Sequence, residues 1–199
     1  MIRHLLLDAD GVVQALPGGW RAALEPFLGE RSEEFVSDLA MDELACLHGE
    51  PFLPVLADRL ARFEVEAPAA EVYAAAWERI AADPAVLALA DRLRARGLGV
   101  HLATNQNPER ASYMRRELGY GDRFDTQFYS CELGVAKPEA AYFQRILATV
   151  DATAEQVLFV DDSARNVAGA RETGLAAEQW HLDDGLPRLH ELLAAHGLA

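Results

Sequence analysis

The chain has 199 residues, 32 acidic and 18 basic, for a formal charge of −14. That length suits one domain, or one domain carrying an insertion, and buries about 70% of the unfolded surface without disulfide staples. With 51% hydrophobic and 25% charged residues the composition is globular rather than disordered, and the negative balance disfavours nucleic acid and anionic membrane surfaces as partners.

No apolar run approaches the roughly 18 residues of a membrane span, and the apolar stretch at the start is too short for a secretory leader. Cys46 and Cys131 lie too far apart for a zinc knuckle or a disulfide framework. The expectation is a cytoplasmic protein, with oligomeric state open between monomer and weak dimer.

Residues 2–7 form an apolar run interrupted by Arg3 and His4, and the run stops at Asp8-Ala9-Asp10-Gly11. From about residue 20 to residue 82 no strand pattern occurs. Helical patterns cover 32–47, 51–63 and 69–82, far more than one crossover needs. These mark a helical insertion over residues 16–82, with Trp20 and Trp77 assigned to its small core. Asp83-Pro84 caps the next helix, which stops at Gly97. A second apolar run over 98–103 stops at Thr104-Asn105, and a helix over 108–118 stops at Gly119. A weaker strand pattern covers 126–129. Lys137 precedes a helix over 138–150, and a third run over 156–160 stops at Asp161-Asp162. A helix over 164–173 and a weak strand over 175–180 follow. Strands alternating with helices predict right-handed βαβ units and a parallel sheet buried on both faces. The fold class is α/β: a Rossmann-like parallel sheet flanked by helices, built from residues 1–15 and 83–199.

Every strong polar signal falls at the carboxyl end of a predicted strand, where ligands bind in open α/β sheets. Taken singly, each has a structural explanation: Asp-x-Asp makes turns, Asp161-Asp162 and Thr104-Asn105 cap helices, and Lys137 is a loop cation. Taken together they are different. Structural needs rarely gather so many acids at one rim, because close carboxylates repel. A divalent cation resolves that repulsion, and hard oxygen ligands favour magnesium.

The segments Asp8-Ala9-Asp10-Gly11-Val12-Val13, Thr104-Asn105, Lys137-Pro138 and Phe159-Val160-Asp161-Asp162 resemble the four ordered motifs of the haloacid dehalogenase superfamily of hydrolases. The resemblance covers essentially the whole chain. The stretch from Tyr129 to Glu139, with Asp161 to Asn166, is similar to bacterial sugar-phosphate phosphatases and the phosphatase domain of soluble epoxide hydrolase. It implies that residues 16–82 are a helical cap of the first type. It also implies a magnesium-dependent phosphomonoester hydrolase acting on a small phosphorylated metabolite such as a sugar phosphate, through an aspartyl phosphate. Asp8 would attack phosphorus, and Asp10 would protonate the leaving oxygen and then activate water. Mg2+ would be held by Asp8, the Asp10 carbonyl and Asp162, with Asp161 in the outer shell. The Thr104 hydroxyl, the Asn105 amide and the Lys137 ammonium would bind the transferring phosphoryl group.

Two positions depart from the family pattern. Asn166 stands where many relatives have a second acid, and is expected to orient a metal-bound water. Ala9 is smaller than the usual bulky residue between the two acids. His4 and His101 read as structural histidines within strands, and Cys46 and Cys131 as buried small hydrophobes. Residues 30–34 read as a solvated helix start. His48, in the His48-Gly49-Glu50 turn, reads as structural rather than substrate-facing. A 2-haloacid dehalogenase or a phosphosugar mutase on the same scaffold are the alternatives. Asp10 argues against the dehalogenase, since departing halide needs no proton. The intact set of Asp8, Asp10, Lys137 and Asp162 argues against a non-catalytic binding protein.

Overall fold

A computed structural model describes residues 1–198, with Met41 described by its backbone only. The chain opens with strand β1 (His4–Leu7) and a short strand β2 (Gln14–Ala15), then enters helices α1 (Gly19–Leu28), α2 (Ser32–Leu47), α3 (Phe52–Arg62) and α4 (Ala69–Ala76). It returns through β3 (Ala81–Ala82) to α5 (Pro84–Ala95), β4 (Gly99–Thr104), α6 (Pro108–Arg116) and a single turn, α7 (Tyr120–Arg123). Strand β5 (Thr126–Tyr129), the turn α8 (Ser130–Leu133), α9 (Ala140–Val150), β6 (Val157–Asp161), α10 (Ala164–Glu172), β7 (Ala176–Gln179) and α11 (Leu186–Ala195) complete it.

The five long strands form one parallel sheet in the order β5-β4-β1-β6-β7. Alternating side chains on each strand point to opposite faces. Leu5 and Leu7 therefore join one buried cluster with Val100, Leu102, Leu158 and Val160, while Leu6 joins another with Ala103, Val157 and Phe159. Both faces are covered, which is why these strands read as unbroken apolar runs. The strand order puts β1 at the centre with β4 and β6 on either side, so the residues that leave their carboxyl ends meet.

Helices α1–α4 have a core of their own, built on Leu24, Phe35, Leu56, Val72 and Trp77. Arg59, 5% exposed, fastens α3 to α2 through Asp38 and Asp42. The two connections to the sheet run side by side, because β2 pairs antiparallel with β3, Gln14 opposite Ala82 and Ala15 opposite Ala81. That pairing corrects the helix expected over 69–82. The alanines favour helix intrinsically, but α4 stops at Ala76 and the last two residues complete the two-stranded ladder. Helix α1 was not expected either: it begins at Gly18-Gly19 with no side-chain cap and contains Pro26. Trp20 also departs from expectation. It is 36% exposed, outside the helical core, with its ring centroid 5.0 Å from that of Trp77 and tilted by 51°.

Four contacts close the helical unit onto the sheet domain. The backbone N–H groups of Phe52 and Leu53, at an α3 start with no side-chain cap of its own, donate to the Glu109 carboxylate of α6 at 3.0–3.2 Å. Tyr73 donates to Asn107 Oδ1 at 2.8 Å. Arg110 Nε donates to the Trp77 carbonyl at 2.8 Å, and His48 Nε2 lies 3.1 Å from Glu139. The His48 contact agrees with its structural reading. His4 and His101 pair with each other at 3.1 Å, and burial lowers both imidazoles below their ordinary pKa.

Candidate active site

Asp8 is the first residue past β1, and its backbone N–H still bonds Val160 of β6 at 3.0 Å. The chain then turns sharply, with the amides of Val12, Val13 and Gln14 all bonded to the Ala9 carbonyl. Gly11 has φ +76°, and a Cβ there would lie 2.6 Å from Asp162 Oδ2. The glycine both permits the turn and lets the acid of β6 approach the acids of β1. Oxygen atoms of Asp8, Asp161 and Asp162 lie within 4.8 Å of one another.

Lys137 reaches this cluster from the loop before α9. Its ammonium, 5% exposed as a residue, donates to Asp161 Oδ2 at 2.6 Å, Asp8 Oδ1 at 2.8 Å and the Ala103 carbonyl at 2.9 Å. Three N–H groups meet three acceptors, so the cation is fully satisfied without water. The loop is held at both ends. The Asn105 side chain bonds the Lys137 carbonyl at 3.0 Å and its N–H at 2.9 Å. Gly169 lets the loop press on α10, since a Cβ there would lie 2.5 Å from the Pro138 carbonyl.

The two acids of β6 have different surroundings. Asp161 is completely buried and accepts from Lys137, from Ser163 N–H at 2.8 Å and from Asn166 Nδ2 at 3.1 and 3.2 Å. Asn166 thus orients Asp161 directly, a correction to its expected role on a water. Asp162 is half-buried, and among the described residues none donates to its carboxylate. Burial, and then the Asp161 charge, push its pKa up. Burial likewise raises Asp8 to about 7, with Lys137 opposing and Asp161 adding to the rise. A buried acid cluster that one lysine does not neutralise, with one carboxylate left unpartnered, fits a hard divalent cation. Asp8 and Asp162 are the side chains free to hold it.

Asp10, the acid implied by the resemblance, is not a free carboxylate here. Arg110 grips it with Nη1 at 2.5 Å and Nη2 at 2.8 Å, Gln14 bonds it at 2.9 Å, and Gln106 at 2.8 Å. Burial alone would raise its pKa; the Arg110 charge and these bonds outweigh burial and hold it below the ordinary range. Thr104, 1% exposed, lies beside this network, its hydroxyl oxygen accepting from Gln106 at 3.0 Å. Sequence reasoning missed Arg110, Gln106 and Gln14. Arg110 left one signal: it shares the buried face of α6 with Ala111 and Met114, where a charged residue is out of place.

A cavity of about 220 Å³ opens beside Asp10 and Asn105 and is walled on the helical side by Trp20, Glu43, Leu47 and Trp77. The rim therefore brings together the Asp8 carboxylate, the Asp10 carboxylate two residues on, the buried Lys137 ammonium and the unpartnered Asp162 carboxylate, with a small chamber beside Asp10 and Asn105.

The chain matches the family model described as haloacid dehalogenase-like hydrolase over residues 2–174. It is 32% identical to a sesquiterpene phosphatase of Aspergillus oryzae over 111 residues, 55% of each protein. It is 29% identical over 94 residues to bifunctional epoxide hydrolase 2 of Mus musculus, 45% of this chain and 17% of that enzyme. The chain thus matches about half the length of the first relative and much less of the second. Among solved structures, a haloacid dehalogenase family enzyme of Bacteroides thetaiotaomicron in complex with magnesium superposes with a TM-score of 0.81 at 20% identity, covering 95% of this chain and 98% of that one. An L-2-haloacid dehalogenase of Xanthobacter autotrophicus superposes with a TM-score of 0.70 at 19% identity, covering 100% and 85%. At these identities the superpositions establish the fold. No described helix is long and apolar enough to cross a membrane.

Proposed function

The chain belongs to the haloacid dehalogenase-like hydrolases, and we propose that within them it is a magnesium-dependent phosphomonoester hydrolase acting on a small phosphorylated metabolite. The observation that carries this reading is the pair Asp8 and Asp10 at one strand end. A phosphate ester needs a nucleophile and a proton donor for its alkoxide, whereas halide leaves unprotonated. The phosphatase among its relatives and the magnesium-bound neighbour support the same choice over the dehalogenase.

Asp8 Oδ2 attacks phosphorus, and the P–O bond to the alcohol breaks as the aspartyl phosphate forms. Lys137 Nζ, 2.8 Å from Asp8 Oδ1, fixes the carboxylate and places positive charge where the transferring oxygens develop negative charge. Thr104 and the Asn105 amide complete that cradle. Asp10 donates a proton to the departing alcohol oxygen, then takes one from the water that attacks phosphorus and releases inorganic phosphate and free Asp8. Asp8, the Asp10 carbonyl and Asp162, with Asp161 behind them, would hold Mg2+, whose charge would let an anionic ester approach this acidic rim. Because Arg110 occupies both Asp10 oxygens and keeps the carboxyl ionised in the closed arrangement, one oxygen must be released and take up a proton from solvent as substrate enters, before Asp10 can act as the acid.

Residues 16–82 act as the cap over a core of residues 1–15 and 83–199. The paired strands β2 and β3 are the joint, and the Glu109, Asn107, Arg110 and Glu139 contacts are the closed seat. The protein works in the cytoplasm on a diffusible ester. A panel of phosphorylated metabolites and 2-haloacids, with and without magnesium, tests the reading: phosphate release only with magnesium supports it, and chloride release instead of phosphate overturns it.

A further inference from the structure

Above Asp10, the wall contributed by the helical unit contains a single acid. Glu43 of α2 is half-buried and faces the same 220 Å³ chamber as Asp10. Among the described residues no cation stands within ion-pair distance of it. The nearest, Arg110, is already committed to Asp10, Gln106 and the Trp77 carbonyl. Burial pushes the Glu43 carboxyl up, with the Trp77 indole and the Arg110 charge only partly opposing it. The indoles of Trp20 and Trp77 also line the chamber, in tilted contact with their ring centroids 5.0 Å apart, and the Arg110 guanidinium lies 6.0 Å from the Trp20 ring. A half-buried carboxylate without an ion-pair partner, sharing one chamber with aromatic rings, is a surrounding that binds a desolvated ammonium.

We propose that Glu43 determines specificity by selecting phosphate esters whose alcohol carries an ammonium group, that is, small phosphorylated amino alcohols. The proposal rests on the phosphatase reading and names its substrate class. The chamber lies below the roughly 300–1,000 Å³ of ordinary ligand pockets, which limits the alcohol to a few heavy atoms. Of the two acids on its walls, Asp10 is neutralised by Arg110, which leaves the Glu43 charge to repel a second anionic group on the substrate.

Three esters of similar size and different charge test this: 2-aminoethyl phosphate, propyl phosphate and 2-phosphoglycolate, with nitrophenyl phosphate as the reference. With magnesium, the parent enzyme should prefer 2-aminoethyl phosphate over propyl phosphate by at least about 10-fold in kcat/KM, with 2-phosphoglycolate last. Glu43→Gln should bring the first ratio toward one, and Glu43→Lys should make 2-phosphoglycolate the best of the three. A parent enzyme that hydrolyses nitrophenyl phosphate yet treats the three esters alike overturns the proposal, as does a preference that survives in Glu43→Gln. Failure to hydrolyse nitrophenyl phosphate at all identifies the phosphatase reading, not the Glu43 assignment, as the source of the failure.

Discussion

Arg110 holds Asp10 by both carboxylate oxygens, at 2.5 and 2.8 Å, while its Nε bonds the carbonyl of Trp77 at 2.8 Å. One guanidinium thus ties the proposed acid of the sheet domain to the segment that leaves α4, the last helix of the helical unit. The position of that unit and the plane of the Asp10 carboxylate are mechanically linked. Lysine can keep the charge but cannot reproduce the fork. Arg110→Lys should therefore lower kcat on alkyl phosphates by about 10²-fold, the cost of misplacing a reacting group. The loss on nitrophenyl phosphate should be smaller. Equal losses on both would show that Arg110 serves only the fold.

Asp10→Asn separates the acid role from the metal role, since the metal contact assigned to residue 10 is its carbonyl. Alkyl phosphates, whose alkoxides need a proton, should lose about 10²–10⁴-fold in turnover. Nitrophenyl phosphate should lose much less, and stabilisation by magnesium should persist. Equal losses on the two substrates would remove Asp10 from the acid role.

Neighbouring acids should fail in opposite ways. Asp162→Ala removes an acid with no protein donor, so the metal-free protein should keep its melting temperature while the upward shift with added magnesium disappears. Asp161→Ala strips a buried partner from Lys137, and losing one half of such a pair typically costs about 3–5 kcal/mol. It should melt earlier in the presence of chelator. Thermal melts with and without magnesium check both, and the reverse ranking would reassign the direct ligand.

Asp8 makes the metal-free fold sensitive to pH. Its folded pKa is raised to about 7 from an ordinary 3.8, chiefly by burial. A raised pKa means the native state binds the proton more tightly than the unfolded chain does. Its contribution is full below about pH 4 and is lost as pH rises through 7. Asparagine does not ionise, so the melting temperature of Asp8→Asn minus that of the parent, in chelator, should increase from pH 4 to pH 8. A difference that stays flat over that range would contradict the burial of an uncompensated charge at this position.

The sheet and its acidic rim were legible because both depend on local pattern. Leu5, Leu6 and Leu7 are apolar together only because both faces of β1 are covered, and Asp8 ends that run in plain view. Legibility failed where long-range contact overrode local preference. Ala81 and Ala82 read as helix, but their partners Ala15 and Gln14 lie 66 and 68 residues earlier in the chain. Trp20 reads as core, yet it is exposed and lines a chamber that no periodicity reveals. Glu43 carries no signal in the sequence, and Arg110 only that of a charge on the apolar face of α6. Their roles arise from facing Asp10 and one another across the gap between two separately built units.

The central claim is that Asp8 is the nucleophile, and the most direct test is phosphate release by Asp8→Asn in magnesium. Asparagine is nearly the same shape but cannot form the acyl phosphate. With the circular dichroism spectrum unchanged, the variant should lose at least about 10³-fold in kcat on nitrophenyl phosphate, as expected when a nucleophile is removed. A folded Asp8→Asn protein that releases phosphate at the parental rate would contradict the account.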